Sequence, residues 1–383
     1  MERDGGQAGR QAARAAAEQL GGPADVALVF GTTGYDQREL TRAAHETLGQ
    51  QCVIVGCSSE GVISGGESHE GDRAVSVLAA RLDGAKAEGH LVGGYDKAPQ
   101  KAAEELARRI GDARDVTGVL VFPDGLTGDC TEFVSELERR VPGVLIAGGA
   151  AGDAMTFERT YQYCGREVAT GHVSALVLRG RGRLEVATSH GCTPVGPQQI
   201  ITAANGGWLE QLDGQNAWEV FKSYLDDGVV DLNAEGIVHL CLGTAAQRGA
   251  TRVDEPMVVR TPMALNRETG ALFFPGGGIA VGQPVRMTRR DPERIRKTGA
   301  ECAHRLAGDG RKTPAFVLQL DCAGRGKILF GACAADSIVA PLREQLAPYV
   351  PWAGFHTYGE IAPIAGAVAY HNYTVALCGF FDA

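Results

Sequence analysis

A repeat with a spacing of 92 residues constrains the fold of this chain more than any other feature. The apolar run Ala27–Phe30 recurs as Val119–Phe122, and Val53–Gly56 recurs as Leu145–Gly148. A helical pattern of apolar residues separates the two runs of each copy, so each copy predicts a strand, a helix and a strand. Such a unit normally forms a parallel strand pair with a right-handed crossover. The first half therefore predicts a duplicated α/β module.

A loop of small residues follows the second strand of each copy, Gly56–Gly61 in one and Gly148–Asp153 in the other. Open α/β sheets bind ligands at the carboxyl ends of parallel strands, so Gly148, Gly149 and Asp153 are candidate ligand-binding residues. Alternatively, the glycines only permit tight turns. Neither loop has the glycine spacing of a dinucleotide site or a P-loop, which makes a nucleotide ligand a weak interpretation.

Size and charge limit the classes of function. At 383 residues the chain exceeds the usual size of a single core, so we expect one domain over 1–190, with repeats at 24–95 and 116–190, and another over 191–383. The net charge of −9 argues against a nucleic-acid or anionic-membrane partner. No run of roughly 18 apolar residues predicts a membrane span. Ten cysteines without a CxxC motif, and no signal peptide, favour a cytoplasmic protein with free thiols.

The N-terminal segment 7–20 is rich in Ala and Arg and has some features of a transit peptide. It lacks a Ser-rich composition and an apolar core, and Gly21–Pro23 follows it as a helix terminator would. We therefore expect a folded surface helix that packs through Ala12, Ala16 and Leu20.

The second half has a different pattern. Short apolar runs such as Met257–Leu265, Val285–Thr288 and Tyr373–Phe380 predict strands, and Pro292–Leu306 predicts a helix. The predicted fold class is thus α/β followed by α+β: a duplicated strand-helix-strand module, then a domain with a mainly antiparallel sheet.

Motifs along nearly the whole chain resemble those of the FIST family, in the order expected for its N-terminal and C-terminal domains. The first half contributes VIVGCSSEGVIS and LIAGGAAGD, and the second half contributes His190–Gly196, Asp321–Arg325, Thr357–Ile361 and His371–Thr374. The resemblance implies a sensory module that binds small ligands such as amino acids. One branch of the family binds heme, senses nitric oxide and acts on a partner histidine kinase.

No kinase or other output segment is recognisable beside these motifs. The sequence therefore predicts a stand-alone cytoplasmic sensor for an amino acid-like ligand or heme, which signals through a separate partner such as a histidine kinase. The alternative is a b-type heme protein, either a nitric-oxide sensor or a heme-dependent redox enzyme. No catalytic residue is assigned, because no nucleophile, base and oxyanion-hole pattern is found.

Several candidate ligand-binding residues follow predicted strands in the second half. Cys322 and Arg325 emerge after the strand 315–320, and the planar guanidinium of Arg325 would suit a ligand carboxylate. Glu360 would receive a ligand ammonium, while Gly359 would let backbone approach the ligand. Alternatively, Arg325 pairs with Asp321 or Glu360 and holds the loop.

Other candidates lie at the junction of the halves and near the C-terminus. His190 and Cys192 are residue types that ligate heme iron, and they would otherwise form a junction turn. His190 and His239 are the heme-iron candidates, although a histidine in a strand pattern is usually a core residue. Asn372 carries both a donor and an acceptor for a ligand, or is a turn residue.

Overall fold

A computed structural model describes residues 4–71, 73–225, 232, 240–246, 249–254, 256–308 and 310–382. Its α-helices are α1 (Gly5–Leu20), α2 (Gln37–Leu48), α3 (Pro99–Ile110), α4 (Cys130–Arg140), α5 (Ala217–Lys222), α6 (Pro292–Leu306), α7 (Lys327–Phe330), α8 (Ala334–Ile338) and α9 (Ala340–Arg343). Two short 3₁₀ turns cover Ala323–Arg325 and Gly331–Cys333. Within the described ranges, no helix is long and apolar enough to cross a membrane.

The strands of the first half are β1 (Val26–Thr32), β2 (Val53–Ser59), β3 (Gly61–Ser64), β4 (Glu67–Glu70), β5 (Val75–Ala80), β6 (Ala85–Val92), β7 (Val116–Pro123), β8 (Ile146–Gly149), β9 (Gln162–Cys164), β10 (Glu167–Ala169), β11 (Val173–Gly180) and β12 (Arg183–Ser189). Those of the second half are β13 (Cys192–Asn205), β14 (Trp208–Leu212), β15 (Gln215–Asn216), β16 (Leu240–Ala245), β17 (Met257–Arg260), β18 (Ala264–Leu265), β19 (Leu272–Phe273), β20 (Pro284–Arg290), β21 (Phe316–Cys322), β22 (Trp352–Thr357), β23 (Glu360–Ile364), β24 (Ala367–His371) and β25 (Val375–Phe381).

The duplicated unit is present, which confirms the predicted fold class. Strands β1 and β2 are parallel with Ala27 opposite Ile54, and β7 and β8 are parallel with the repeat-equivalent Val119 opposite Ile146. Helices α2 and α4 connect the two strands of each pair. Each first strand also has an antiparallel neighbour, β5 beside β1 and β11 beside β7. The two copies therefore share both topology and register.

Glycine allows the parallel strands to approach closely. A Cβ atom on Gly56 would lie 1.8 Å from the Val29 carbonyl oxygen, and one on Gly148 would lie 1.8 Å from that of Val121. Strands β21 and β22 form a third parallel pair, and there a Cβ atom on Gly354 would lie 1.9 Å from a backbone oxygen of the neighbouring strand. Any larger residue at these three positions would push the strands apart.

Strands are exchanged between the first and second halves of the chain. The hairpin β3–β4 pairs with β22, and the hairpin β23–β24 pairs with β8. Strand β12 pairs with β25 in the sheet that also holds β21 and β22. The division into domains at residue 190 stays a prediction, and the sheets join residues from both sides of it.

The main core lies where three of the sheets meet. Phe30 of β1 stacks on Phe355 of β22 with ring centroids 4.5 Å apart, and Phe122 of β7 meets both rings edge-on. All three rings are fully buried. Because Phe30 and Phe122 are repeat-equivalent, the duplication supplies two of the three rings of this cluster. The cluster of three rings fixes the three parallel strand pairs relative to one another.

The last sheet is antiparallel and has the strand order β17-β16-β20-β13-β14-β19-β18. It has its own apolar cluster, in which Trp218 and Phe221 of α5 pack against Phe274 and Met287. The segment after β17 and the loop between β19 and β20 lead from this sheet to the carboxyl ends of the parallel pairs. These connections complete the cavity described next.

Candidate functional site

A cavity of about 170 Å³ lies at the carboxyl ends of two parallel strand pairs, β7/β8 and β21/β22. Loops after all four strands contribute to its wall. Its apolar lining consists of Leu126, Met155, Phe157, Met263, Phe273, Pro275, Ala323 and Ile328. Its polar lining consists of Thr261, Cys322, Thr357, Tyr358, Asn372 and Tyr373, and Gly125 and Gly324 complete the wall. This is the position at which α/β sheets bind ligands.

Asp153 organises the loop after β8, which forms one side of the cavity. Its carboxylate is buried and accepts a hydrogen bond of 2.6 Å from the Tyr358 hydroxyl. It also accepts from the Thr156 hydroxyl and from the backbone N–H groups of Phe157, Glu158 and Arg159. Burial alone would raise the pKa of Asp153, but these donors together hold it below its ordinary value. The charged carboxylate therefore fixes the loop and Tyr358 together.

Backbone conformations that L-residues rarely adopt are concentrated around the cavity. In the described chain, six residues other than glycine have positive φ, and Ala154, Met155, Phe157 and Tyr373 are four of them. The first three belong to the Asp153 loop, and three of the four side chains line the cavity. Each such residue costs on the order of 1–3 kcal/mol, and such strain is concentrated at binding and switch sites in proteins.

Apolar side chains surround the mouth of the cavity. Phe157 stacks on Tyr358 with ring centroids 5.5 Å apart, and 50% of Phe157 remains exposed. Ile328 of α7, on the other side, is 40% exposed. These residues lie beside the mouth, where an entering ligand would contact them first.

Asn372 is held in a fixed orientation in the wall. The side-chain oxygen of Asn372 accepts a hydrogen bond of 3.1 Å from the backbone N–H of Thr261. The backbone N–H of Asn372 donates to the Val259 carbonyl at 2.9 Å. Because Oδ1 must face the Thr261 donor, Nδ2 faces the other way. There it lies 3.5 Å from the Tyr358 carbonyl, a long contact for a hydrogen bond.

Cys322 is the other residue predicted from the sequence that lines the cavity. It also belongs to a buried cluster with Cys192, Cys241, Val259 and Tyr373. Burial raises the pKa of the Cys322 thiol well above its ordinary value, so the thiol stays protonated at neutral pH. It is a weakly polar wall group.

Arg325 and Glu360 lie behind the wall of the cavity. Arg325 is fully buried, and its Nε lies 2.8 Å from Oδ1 of Asp321 in an ion pair. Glu360 is fully buried; it accepts hydrogen bonds from the Thr357 hydroxyl and from the Thr374 N–H. Burial raises the pKa of Glu360 well above its ordinary value, and the nearby Asp321 charge adds to this effect. The structure thus contains the loop-holding ion pair between Arg325 and Asp321.

The predicted glycines make close packing contacts outside the cavity lining. Gly148 lies at the contact between β7 and β8, and a Cβ atom on Gly149 would lie 2.6 Å from the Thr357 side chain. A Cβ atom on Gly359 would meet the Tyr370 ring at 2.2 Å. Of the sequence-predicted residues, Cys322 and Asn372 line the cavity, and Asp153, Gly149, Gly359 and Glu360 support residues that do.

His190 and Cys192 form a local turn, in which the Cys192 N–H donates to Nδ1 of His190 at 2.9 Å. Burial lowers the pKa of His190 to about 4. Neither residue lines the cavity. His239 lies outside the described residues.

Heme does not fit this cavity. A cavity of roughly 150 Å³ holds one benzene ring, and drug-sized ligands occupy about 300–1,000 Å³, so 170 Å³ is too small for a tetrapyrrole. No histidine that the structure describes lines the cavity, and Cys322 would have to lose its proton to ligate iron. Among the described residues, no group of three or more His, Cys, Asp or Glu side chains is arranged to hold a metal ion.

The sequence motifs did not point to three side chains that lie at or beside the cavity. Glu60, in the first-copy loop, is buried and lies 3.5 Å from the Tyr358 hydroxyl. Burial, and secondarily the Glu70 charge, raises the pKa of Glu60 to about 8. Tyr358 and Phe157 were also missed. The position of Glu60 in a loop equivalent to that of Asp153 was an available signal.

Comparison with known families and proteins gives matches over nearly the whole chain. Residues 25–215 match the FIST N domain and residues 217–363 match the FIST C domain. An uncharacterized protein of Mycobacterium tuberculosis is 26% identical over 98% of this chain and 96% of its own length. An uncharacterized protein of Mycobacterium bovis is 27% identical, with 99% and 96% covered. Because the two domain matches together cover most of the sequence, this protein belongs to the FIST family of small-ligand sensory domains.

Proposed function

We propose that this protein is a small-ligand sensor whose ligand occupies the cavity at the carboxyl ends of β7/β8 and β21/β22, and whose occupancy is read by a separate signalling partner. One observation carries the proposal: the cavity coincides with the concentration of strained backbone at Ala154, Met155, Phe157 and Tyr373. A site that has to change with occupancy benefits from such strain, because a ligand then shifts the balance between two conformations.

The Asp153 loop supports a sensory role because it connects the cavity to the surface. Phe157 and Tyr358 both line the cavity, and Phe157 is half exposed. A ligand that contacts these rings would change the position or the order of an exposed aromatic side chain. Phe157 is therefore where we expect a partner to detect occupancy.

The proposal is tested by binding of four small probes of similar size: toluene, benzamide, benzoate and benzylamine. Each is titrated into the full chain and into Met263→Trp, which fills the cavity from a partly exposed wall position. Val281→Trp is the matched control, since Val281 is 63% exposed and lies outside the cavity lining. Ile328→Trp, at the exposed mouth, serves as a second blocking variant if Met263→Trp does not fold.

We expect at least one probe to bind the wild type and Val281→Trp equally, and to bind the blocking variant at least ~10-fold more weakly, a loss of about 1.4 kcal/mol. The proposal is wrong if no probe binds, or if each binds the blocked and wild-type proteins equally.

A further inference from the structure

Among the described residues, no side chain in the cavity wall is charged at neutral pH. The polar groups of the wall are hydroxyls, a protonated thiol and one amide. An ion that enters such a site loses its hydration and finds no opposite charge, which costs several kcal/mol. The wall therefore selects against the two charges of a free amino acid, the ligand class that the sequence alone favoured.

Three charged groups behind the wall already have partners in the protein. The Asp153 carboxylate accepts from Tyr358 and from the loop, and Arg325 pairs with Asp321. Arg290 lies behind Tyr373, with its guanidinium 4.0 Å from the ring centroid, and donates to the Gly324 carbonyl. To reach a ligand, each of these groups would have to leave its partner.

Two of the wall hydroxyls are similarly engaged, whereas the buried Thr261 hydroxyl has no hydrogen-bond partner among the described residues. The Thr357 hydroxyl donates to Glu360 and the Tyr358 hydroxyl donates to Asp153.

The Asn372 amide differs, because Nδ2 carries two hydrogens and its neighbours are poor acceptors. The Tyr358 carbonyl is 3.5 Å away and already accepts from the Tyr370 hydroxyl, which is the other group beside the amide. Asn372 and Thr261 are thus the wall residues best placed to donate a hydrogen bond to a ligand, and of the two only the amide has two hydrogens.

We propose that the ligand is an uncharged molecule with an apolar body about the size of one ring, and with a carbonyl-type acceptor that binds the Asn372 side-chain amide. The apolar residues Leu126, Met263 and Phe273 enclose the body of the ligand. This inference rests on the proposed function and specifies the ligand class of the same cavity.

The test compares affinities within the same four probes. Benzamide is neutral with a carbonyl acceptor, toluene lacks the acceptor, benzoate is an anion and benzylamine is a cation. Calorimetric titration of the full chain at neutral pH should show benzamide binding at least ~10-fold more tightly than benzoate and benzylamine, and more tightly than toluene.

Two substitutions examine the role of Asn372. In Asn372→Leu the donor is absent, and the affinity for benzamide should fall to the affinity for toluene. Asn372→Asp keeps an acceptor for the Thr261 N–H but replaces the donor with an anion. It should weaken benzamide binding by ~10-fold or more and strengthen benzylamine binding relative to the wild type. Asn205→Leu, at an exposed position outside the cavity lining, is the control and should change no affinity.

The two proposals fail in different ways. If benzoate or benzylamine binds the wild type as tightly as benzamide, and Met263→Trp blocks it, the cavity is the ligand site and the neutral-ligand inference is wrong. Unchanged benzamide affinity in Asn372→Asp also overturns the inference. If Met263→Trp and Ile328→Trp block none of the probes, the proposed function itself is wrong.

Discussion

At the residue scale, two buried carboxyl groups beside the cavity have opposite protonation behaviour. Asp153 is surrounded by donors that lower its pKa, while burial and then the Glu70 charge raise the pKa of Glu60 to about 8. The Tyr358 hydroxyl lies 2.6 Å from Asp153 and 3.5 Å from Glu60. Near neutral pH, Asp153 is charged and Glu60 is mostly protonated.

Replacement of Asp153 by Asn should destabilise the protein by about 2–4 kcal/mol, because hydrogen bonds to a charged acceptor are worth more than neutral ones. The new NH₂ group would also face N–H donors. The free energy of unfolding in urea measures the effect. Asp83→Asn, at an exposed position, should change it by less than about 0.5 kcal/mol. Equal stability of both variants would show that Asp153 does not hold the loop.

Replacement of Glu60 by Gln should change how stability depends on pH. The carboxyl has a pKa of 4.5 ordinarily and about 8 in the folded protein, so between these values the folded state holds a proton that the unfolded chain has lost. Glu60 therefore makes the wild type less stable as the pH rises from about 4.5 to 8, and the full penalty is present above about 8.

The Gln variant lacks this penalty. The free energy of unfolding of the Gln variant, relative to that of the wild type, should therefore rise by on the order of 2–4 kcal/mol as the pH goes from about 5 to 9. Urea unfolding at both pH values measures the difference. If the free energies of unfolding of the two proteins differ by the same amount at pH 5 and pH 9, the pKa of Glu60 is not raised.

At the element scale, glycine decides how α1 packs. The sequence predicted a helix that packs through Ala12, Ala16 and Leu20, but the buried residues of α1 include Gly5, Gly9 and Ala13, and none of those three. The predicted helix is present, and Leu20 packs against the core as a partly buried residue, but the fully buried face differs from the predicted one. A Cβ atom on Gly9 would lie 2.3 Å from the Leu40 carbonyl oxygen, so the absence of a side chain lets α1 lie directly against α2.

Gly9→Ala should therefore destabilise the protein by about 1–3 kcal/mol, although alanine is intrinsically the better helix former by about 1 kcal/mol. Gly299→Ala in α6 is the matched control. There the nearest atom to the added Cβ is the end of a flexible leucine side chain at 3.1 Å, and we expect little loss of stability. Thermal unfolding compares the two. A gain in stability for Gly9→Ala would contradict the close helix contact.

At the scale of the whole molecule, the exchanged hairpins join the two halves of the chain. Strands β3 and β4 lie in a sheet with β21 and β22, and β23 and β24 lie in a sheet with β7 and β8. Neither half can lose these pairings without exposing strand edges of the other. We infer that the halves unfold together.

Spectroscopy can test this cooperativity. All three tryptophans, Trp208, Trp218 and Trp352, lie in the second half, whereas far-UV circular dichroism reports on the whole chain. The two signals should follow one transition in urea with the same midpoint. Two separate midpoints would show that the halves unfold independently despite the shared sheets.

Some of this organisation was predictable from the sequence and some was not. The repeat predicted the parallel pairs, since apolar runs 92 residues apart must fold alike. It did not predict the hairpin exchange, because strand pairing between distant segments leaves no local pattern. Asp153, Cys322 and Asn372 were predicted as ligand-binding residues from position and motif; they lie at or beside the cavity, and their role stays a prediction. For Arg325, the sequence left open a ligand carboxylate or an ion pair that holds the loop, and the structure contains the ion pair with Asp321. Tyr358 was missed because its hydrogen bond to Asp153 joins residues far apart in sequence.

The most direct test of the central claim is a crystal structure of the full chain saturated with benzamide. We predict the ring in the cavity between Met263 and Phe273, with the amide oxygen within hydrogen-bond distance of Nδ2 of Asn372. Benzamide bound only elsewhere on the protein, or an empty cavity at saturating probe, would contradict the account.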